Sequence, residues 1–178
     1  HWSSSCADDD YKKKAIYYSR TSDFEHFTAP QVLYRREDGD MIDSAIYEED
    51  GYYYLFVKSG YDPAHVQLLR SKQVTGTYEL IEEFSRCMEK LEAGKYEAPT
   101  AMELPDGTWS LYLDYYGVPG KGQGYVPFLT DCLADGHFER SDAEFSFPYG
   151  FKHGTILPIT MEEYERIKTH DWSDKGWQ

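Results

Sequence analysis

Two Asp-Gly pairs constrain the fold of this 178-residue chain more than any other feature of its sequence. The pairs, Asp50-Gly51 and Asp106-Gly107, each stand between runs of aromatic and aliphatic residues. Asp-Gly tolerates the positive φ angles that the tightest hairpin turns require, so each pair predicts two antiparallel strands joined by a short turn. The pairs lie 56 residues apart and their flanking sequences are similar. The two hairpins therefore indicate an internal repeat.

A second recurring element supports this repeat. A polar stretch ending in an aromatic residue and Glu follows each hairpin, at Thr77-Tyr78-Glu79 and His137-Phe138-Glu139, and a similar stretch at 21–27 precedes both. Units of about 40–60 residues with about four strands each are typical of β-propeller blades. Blades are predicted at about residues 1–35, 40–85, 95–140 and 141–160. The alternative is a β-sandwich whose hairpins share Asp-Gly only because such turns are common.

Short apolar runs bounded by Gly, Pro and Asp-Gly fill the rest of the chain, which is typical of an all-β protein. Strands are predicted at Lys14–Arg20, Gln31–Tyr34, Ser44–Glu48, Tyr52–Lys58, Val66–Ser71, Tyr78–Glu83, Thr100–Leu104, Thr108–Asp114, Gly124–Thr130 and Gly154–Ile159. The C-terminal segment differs, because Thr160 and Glu163 match the capping box that begins a helix. We therefore predict an all-β fold with a short C-terminal helix at about 161–168.

Composition excludes several classes of partner. The 32 acidic residues outnumber the 18 basic ones, which makes a nucleic acid a poor ligand, since binding to phosphates rests on Lys and Arg. No apolar run approaches the ~20 residues that cross a bilayer, so no membrane span is expected. Cys6, Cys87 and Cys132 are scattered, so that at most one disulfide can form, a cysteine-based zinc site is improbable and the compartment stays open. A neutral ligand such as carbohydrate remains compatible with the charge.

Two carboxylates stand in apolar surroundings. Asp43 and Glu97 each lie at the head of the first strand of a repeat. First strands line the channel of a propeller, so these acids would converge on one pocket; the alternative is that both are ordinary strand-start carboxylates. Glycosidic bond hydrolysis uses such a pair, because one group protonates the leaving oxygen while another activates water.

Three motifs in this order resemble glycoside hydrolase family 43. They are Ile42-Asp43 before the first hairpin, Glu97-Ala98-Pro99 one blade later, and the segment Lys152-His153-Gly154-Thr155 near the end. The resemblance implies a five-bladed β-propeller with β-xylosidase or α-L-arabinofuranosidase activity, of which this chain supplies about three to four blades. The expected partner is a carbohydrate substrate, as in xylan degradation.

The resemblance also implies roles for single residues. Glu97 matches the family's general acid, and Asp43 matches its pKa-modulating aspartate, which keeps the acid protonated and orients it. His153 matches a histidine near the channel axis that contacts substrate, water or a central calcium ion, although Lys152 replaces the usual Arg. From the residues alone, a core histidine bonded to backbone is the alternative. No cofactor is expected to be required; a structural calcium ion is the one metal that the resemblance suggests.

The family's general base, an aspartate of the first blade, has no counterpart that we can identify. The chain starts at His1 without Met, and we expect that it begins partway through the second blade. Asp62-Pro63 lies in a turn, and the run at 8–10 belongs to a polar loop, so that neither is a substitute. The base is therefore expected from a missing N-terminal segment or a second chain, and these residues alone should hydrolyse poorly. The alternatives are a non-catalytic carbohydrate-binding fragment and an interaction module unrelated to sugars.

Four further residues are candidates for binding substrate. Lys58 ends a predicted strand and would reach the channel, although a surface lysine is the alternative. Tyr115 and Tyr116 precede a glycine-rich loop and would form a wall against which a sugar stacks. Trp2 would line the pocket or only close the core.

Overall fold

The computed structural model describes residues 1–7, 10–60, 65–91, 96–116, 124–141, 147 and 150–170. Within them lie eleven strands and two α-helices: β1 Trp2–Ser5, β2 Lys14–Tyr18, β3 Gln31–Tyr34, β4 Met41–Glu49, β5 Tyr52–Ser59, β6 Val66–Ser71, β7 Glu79–Leu80, α1 Glu82–Glu89, β8 Tyr96–Glu103, β9 Trp109–Tyr115, β10 Gly124–Thr130, β11 Glu139–Arg140 and α2 Met161–Thr169. The predicted all-β class with a short C-terminal helix is confirmed.

The strands form three antiparallel sheets in which each strand pairs with the next along the chain. Their orders are β1-β2-β3, β4-β5-β6-β7 and β8-β9-β10-β11. Both predicted hairpins are present, β4-β5 around Asp50-Gly51 and β8-β9 around Asp106-Gly107. The first strands of the sheets are neighbours, since β1 contacts β4 and β4 contacts β8. The three sheets therefore stand side by side with their first strands innermost, as propeller blades do.

Apolar side chains between neighbouring sheets hold this arrangement. The larger cluster lies between the second and third sheets and includes Phe56, Leu111 and Phe128. Phe84 of α1 packs edge to face on Phe56 and on Phe138, with ring centres 5.6 and 5.2 Å apart. Edge-to-face aromatic pairs add to the stabilisation that burial itself provides. A smaller cluster joins the first sheet to the second.

The structure corrects two predicted strands. The one predicted at Tyr78–Glu83 ends at Leu80, and the chain continues as α1, because Phe84, Cys87 and Met88 recur at helical spacing and bury one face of the helix. The segment predicted as a strand at Gly154–Ile159 is not one; it is almost wholly exposed and pairs with no strand among the described residues. Within 141–160, which was predicted as a further blade, the described residues contain no strand.

The C-terminal helix begins where its capping box predicts. The Thr160 hydroxyl accepts a hydrogen bond from the Glu163 amide (3.2 Å), and the Glu163 carboxylate accepts one from the Thr160 amide (2.8 Å). No residue of α2 is buried. In the part of the chain that the structure describes, no helix is long and apolar enough to cross a membrane.

Candidate active site

The same irregularity interrupts the first strands of the second and third sheets. The register shifts between Ile42 and Ala45 in β4, and between Glu97 and Thr100 in β8. Inside the bulges Asp43 and Ala98 have positive φ angles of 49° and 46°. A bulge bends a strand and redirects its side chains, which is why bulges are frequent near active sites. When the two bulges are superposed by their strand registers, Asp43 of β4 corresponds to Ala98 of β8. Glu97 therefore lies one residue earlier in its strand than Asp43 does, and the two predicted acids are not at equivalent positions.

The bulges bring the two predicted acids to one place. The Ala98 amide, next to Glu97 in the chain, donates a hydrogen bond to the Asp43 carboxylate (3.3 Å). The neighbouring Ala101 amide donates to the Tyr47 hydroxyl (2.7 Å). These two bonds link β4 to β8 across adjacent sheets. Asp43 thus lies against the backbone that carries Glu97, contrary to the arrangement expected of a module in which the acids point apart.

Glu97 contacts His153 across the gap between β8 and the segment that precedes α2. His153 Nε2 lies 3.3 Å from Glu97 Oε1 and 3.5 Å from Asp114 Oδ2. The His153 amide also donates a hydrogen bond to Asp114 Oδ2 (3.0 Å), and φ at His153 is 52°. The side chain of Glu97 is 18% exposed, that of His153 48% and that of Asp114 1%. Asp114 therefore fixes the backbone of His153 from its buried side, while the imidazole ring contacts Glu97.

Asp114 is the residue of this group that sequence reasoning missed. It pairs directly with Glu97 across the β8-β9 ladder. Burial raises its pKa, an effect that the His153 amide partly offsets, and its Oδ1 has no hydrogen-bond partner among the described residues. The signal in the sequence is an acid after the apolar run that ends at Leu113, at a position where a strand inside a sheet predicts another apolar residue.

Lys58 and Tyr116 lie beside the acids. Lys58 is 2% exposed, and its Nζ donates a hydrogen bond to the Tyr96 carbonyl oxygen (2.8 Å). Burial lowers the pKa of Lys58, and the negative charges of Glu97 and Asp43 oppose that shift. The ammonium group lies 5.7 Å from the centre of the Tyr116 ring. Burial raises the pKa of Tyr116, as do the charges of the same two acids. Lys58 is thus not the surface lysine that was the alternative.

Tyr115 and Trp2 have other surroundings. Tyr115 packs on Tyr96 with ring centres 5.1 Å apart, against the larger core cluster. Trp2 is 40% exposed and stacks on Tyr17 with ring centres 6.3 Å apart. The structure therefore brings together five residues, namely Asp43, Lys58, Glu97, Tyr116 and His153, and adds Asp114 to them. Asp62-Pro63 and the first two aspartates of the run at 8–10 lie outside the described residues.

A cleft of about 430 Å³ opens beside this group. Asp43, Tyr47 and His153 line it, and so does His1, whose ring nitrogen lies 3.1 Å from the Ser44 carbonyl oxygen. Glu97 is not among the lining residues; its carboxyl group is in contact with the ring of His153. A small ligand in this cleft would touch Asp43 and His153 directly.

The same group offers ligands to a cation. One carboxylate oxygen each of Glu97 and Asp114 and one ring nitrogen of His153 lie within 4.8 Å of one another. Asp114 Oδ1, which accepts no hydrogen bond from the described residues, suits a cation. Calcium takes six to eight oxygen ligands, so these carboxylates would supply only part of its shell and water the rest. A calcium ion at this group stays a prediction.

Comparison with known proteins identifies the family. The sequence matches the model of a glycosyl hydrolase family 43-related family, described as a probable glycosyl hydrolase domain, over residues 1–165. The chain belongs to this family. The resemblance carried by Asp43, Glu97 and His153 is thereby confirmed at the level of the family. A search of curated proteins finds no match.

A solved structure supports the fold of this family 43-related chain. It is similar to the xylan β-1,4-xylosidase from Bacillus halodurans C-125, with a TM-score of 0.51 and 20% sequence identity. The similarity covers 79% of this chain but only 29% of the xylosidase, so that the chain spans less than a third of that protein's length. The three sheets are accordingly blades of a β-propeller of the family 43 type.

Proposed function

We propose that the protein is a glycoside hydrolase that cleaves xyloside or arabinofuranoside bonds in pentose-containing polysaccharides or oligosaccharides. The observation that carries this proposal is the convergence of Glu97 and Asp43 on two matching bulges of neighbouring inner strands. Membership of a glycosyl hydrolase family and structural similarity to a xylan xylosidase support it. The pentose is inferred from that relative's name and belongs to the proposal.

Glu97 is proposed as the general acid. Its carboxyl group is mostly buried but still 18% exposed, so that it is shielded from bulk water and yet within reach of a ligand. In an inverting hydrolase this group gives its proton to the glycosidic oxygen as the bond to the anomeric carbon breaks, while a base removes a proton from the attacking water on the opposite face of the sugar. The donor then leaves the step as a carboxylate.

Three neighbours prepare Glu97 for this step. Asp43 fixes the backbone next to Glu97 through the Ala98 amide and places a second negative charge beside it. His153 contacts the carboxyl oxygen of Glu97 and is oriented by Asp114. The buried ammonium of Lys58 interacts electrostatically with both Glu97 and Asp43, and it balances the negative charge that Glu97 carries after it donates its proton. Asp43, His153 and Lys58 are thus proposed to position Glu97, and Asp114 is proposed to act through His153.

We further propose that the general base is an aspartate outside these 178 residues, supplied by a preceding segment or by a second chain that completes the propeller. Tyr116, beside the acids, is proposed to stack on the sugar, whereas Trp2 and Tyr115 would act only at a distance. The cleft lined by Asp43 and His153 is proposed to receive the sugar, with the glycosidic oxygen directed toward Glu97, whose carboxyl group contacts the ring of His153 beside the cleft.

The test is hydrolysis of nitrophenyl xyloside and arabinofuranoside by the protein produced from its complete reading frame. Glu97→Gln should lower kcat by about 10²–10⁴-fold, which is the usual contribution of general acid catalysis. Glu103→Gln is the matched control, because Glu103 is an exposed residue at the end of the same strand. Loss of activity in the Glu97 variant alone supports the assignment. Binding of xylo-oligosaccharides without any turnover by the unmodified protein would identify a carbohydrate-binding protein instead.

A further inference from the structure

A second group of ligating side chains lies away from the acids, where the connection before β11 crosses helix α1. Gly136 adopts a left-handed conformation, with φ of 66°, and a Cβ at this position would lie 2.5 Å from Ile81 Cγ2 and 3.0 Å from the Phe84 amide nitrogen. The chain can therefore pass this close to the start of α1 only with glycine. The next residue, His137, is thereby placed beside Glu83.

Three different ligand types meet at this crossing. A carboxylate oxygen of Glu83, the thiol sulfur of Cys87 and a ring nitrogen of His137 all lie within 4.8 Å of one another. Glu83 and Cys87 are four residues apart on α1 and so share one face of the helix. His137 Nδ1 lies 3.9 Å from Glu83 Oε1. Cys87 is buried, whereas the ring of His137 is 56% exposed, so the group is open to solvent on the side of the histidine.

Neighbouring charges orient these side chains in the way that metal sites do. Arg86 donates two hydrogen bonds to Glu83 Oε2 (2.9 and 2.7 Å), while Oε1 faces His137. On the far side of the imidazole, His137 Nε2 lies 3.4 Å from Glu139 Oε1. Metal-binding histidines usually give their second ring N–H to such a carboxylate.

We propose that Glu83, Cys87 and His137 bind a zinc ion that fastens helix α1 to the connection between β10 and β11. Thiolate, imidazole and carboxylate together are zinc ligands, whereas calcium and magnesium select oxygen atoms. Zinc binds nitrogen and oxygen at about 2.0–2.2 Å and sulfur at about 2.3 Å, so that two ligands of one tetrahedral ion lie about 3.5 Å apart. The three ligand atoms already lie within 4.8 Å of one another, so the side chains must close by on the order of 1 Å to reach that geometry.

Charge and protons balance at this site. Binding takes the Cys87 thiol to the thiolate and releases one proton to solvent. The thiolate and the Glu83 carboxylate then neutralise the two positive charges of zinc, and His137 binds as the neutral imidazole. Water occupies the fourth position on the exposed side. The ion would join the second sheet, which α1 follows, to the third sheet, which contains β10 and β11.

The cysteine spacing gives no hint of this site. Zinc sites are normally recognised by pairs of ligands a few residues apart, and Cys87 has no cysteine or histidine nearby in the chain. Its partners come from an unpredicted helix and from a residue fifty positions later. The expectation from sequence that a cysteine-based zinc site is improbable would then be wrong for this structural reason.

The test is titration of the purified, reduced protein, freed of any affinity tag, with Co²⁺ and with Zn²⁺. Co²⁺ should give the near-ultraviolet thiolate-to-cobalt charge-transfer band at one equivalent, and Zn²⁺ should displace it. Cys87→Ser should abolish the band. His137→Ala, at a largely exposed position, should weaken Co²⁺ binding at least as strongly as Glu139→Gln does. Glu139→Gln should weaken binding by roughly 10–100-fold, as changes behind a ligand do. Circular dichroism checks that each variant is folded.

Two matched variants locate the signal. Cys132→Ser changes a partly buried cysteine away from this site, and His153→Ala changes the cluster of Glu97, Asp114 and His153, so both should leave the cobalt band unchanged. The proposal is overturned if the unmodified protein gives no thiolate band, or if the band survives Cys87→Ser. The proposal is also overturned if His137→Ala leaves the Co²⁺ affinity unchanged, or if Cys132→Ser abolishes the band.

Discussion

Replacing Gly136 by Ala tests the contact between the second and third sheets where the chain passes the start of α1. Gly136 has φ of 66°, and its missing Cβ would lie 2.5 Å from Ile81 Cγ2 and 3.0 Å from the Phe84 amide nitrogen. One of these neighbours is a short branched side chain and the other is backbone, so neither can move aside at little cost. The structure therefore predicts a substitution with two separate penalties.

The penalties can be estimated one at a time. A non-glycine residue in the left-handed region costs about 1–2 kcal/mol. Forcing a methyl group into a packed site costs about 1–3 kcal/mol more. Gly136→Ala should thus lower the free energy of unfolding by about 2–5 kcal/mol. Gly107→Ala is the control, because Gly107 has φ of 89° and no atom of the described residues comes within 4 Å of its Cβ position, so that only the first penalty applies.

Urea unfolding followed by tryptophan fluorescence gives both free energies. The two variants should differ by about 1–3 kcal/mol, the packing part of the penalty, with unchanged m-values. Equal destabilisation by Gly136→Ala and Gly107→Ala would refute the close approach of the chain to α1. It would also remove the geometric basis for placing His137 beside Glu83.

Two further predictions concern the proposed active site. Because burial raises the pKa of Asp114, the folded protein binds that proton more tightly than the unfolded chain, so the free energy of unfolding should fall as the pH rises from the ordinary value of 3.8 through the raised pKa. Asp114→Asn removes this dependence. The free energy of unfolding in urea should therefore rise for the variant, relative to the unmodified protein, as the pH rises. A difference between the two proteins that stays constant with pH would contradict the raised pKa. Ala98→Gly relieves the positive φ in the β8 bulge and should raise the free energy of unfolding by up to about 1 kcal/mol, whereas Ala101→Gly, a buried strand position, should lower it by about 1 kcal/mol. Equal losses in the two glycine variants would mean that the bulge is not strained.

The sequence predicts the hairpins and the repeat well because both rest on local chemistry. Asp-Gly turns and alternating apolar residues specify β4-β5 and β8-β9 without any knowledge of distant contacts. The capping box at Thr160 specifies the start of α2 in the same way. Helix α1 was missed for two reasons. Its apolar face consists of only three buried residues, and the helix follows a strand directly, with no capping side chain at Ile81.

The candidate site is less predictable, since its geometry depends on bulges and on contacts between blades. The proximity of Asp43 and Glu97 could be anticipated from their places in the repeat, but not the shift of one position between them. Asp114 looks like an ordinary strand-end acid until its ladder partner, Glu97, is known. The segment around His153 has an apolar sequence typical of a strand, yet it crosses the site as exposed chain.

Proton donation by Glu97 to the leaving group is measured by the dependence of the hydrolysis rate on the pKa of that leaving group. We would compare nitrophenyl and dinitrophenyl glycosides with the Glu97→Gln protein from its complete reading frame, beside Glu103→Gln. A dinitrophenolate leaves without protonation, so the variant should lose about 10²–10⁴-fold on the nitrophenyl substrate and far less on the dinitrophenyl one. Equal losses on both substrates, or none on either, would contradict the assignment of Glu97 as the general acid.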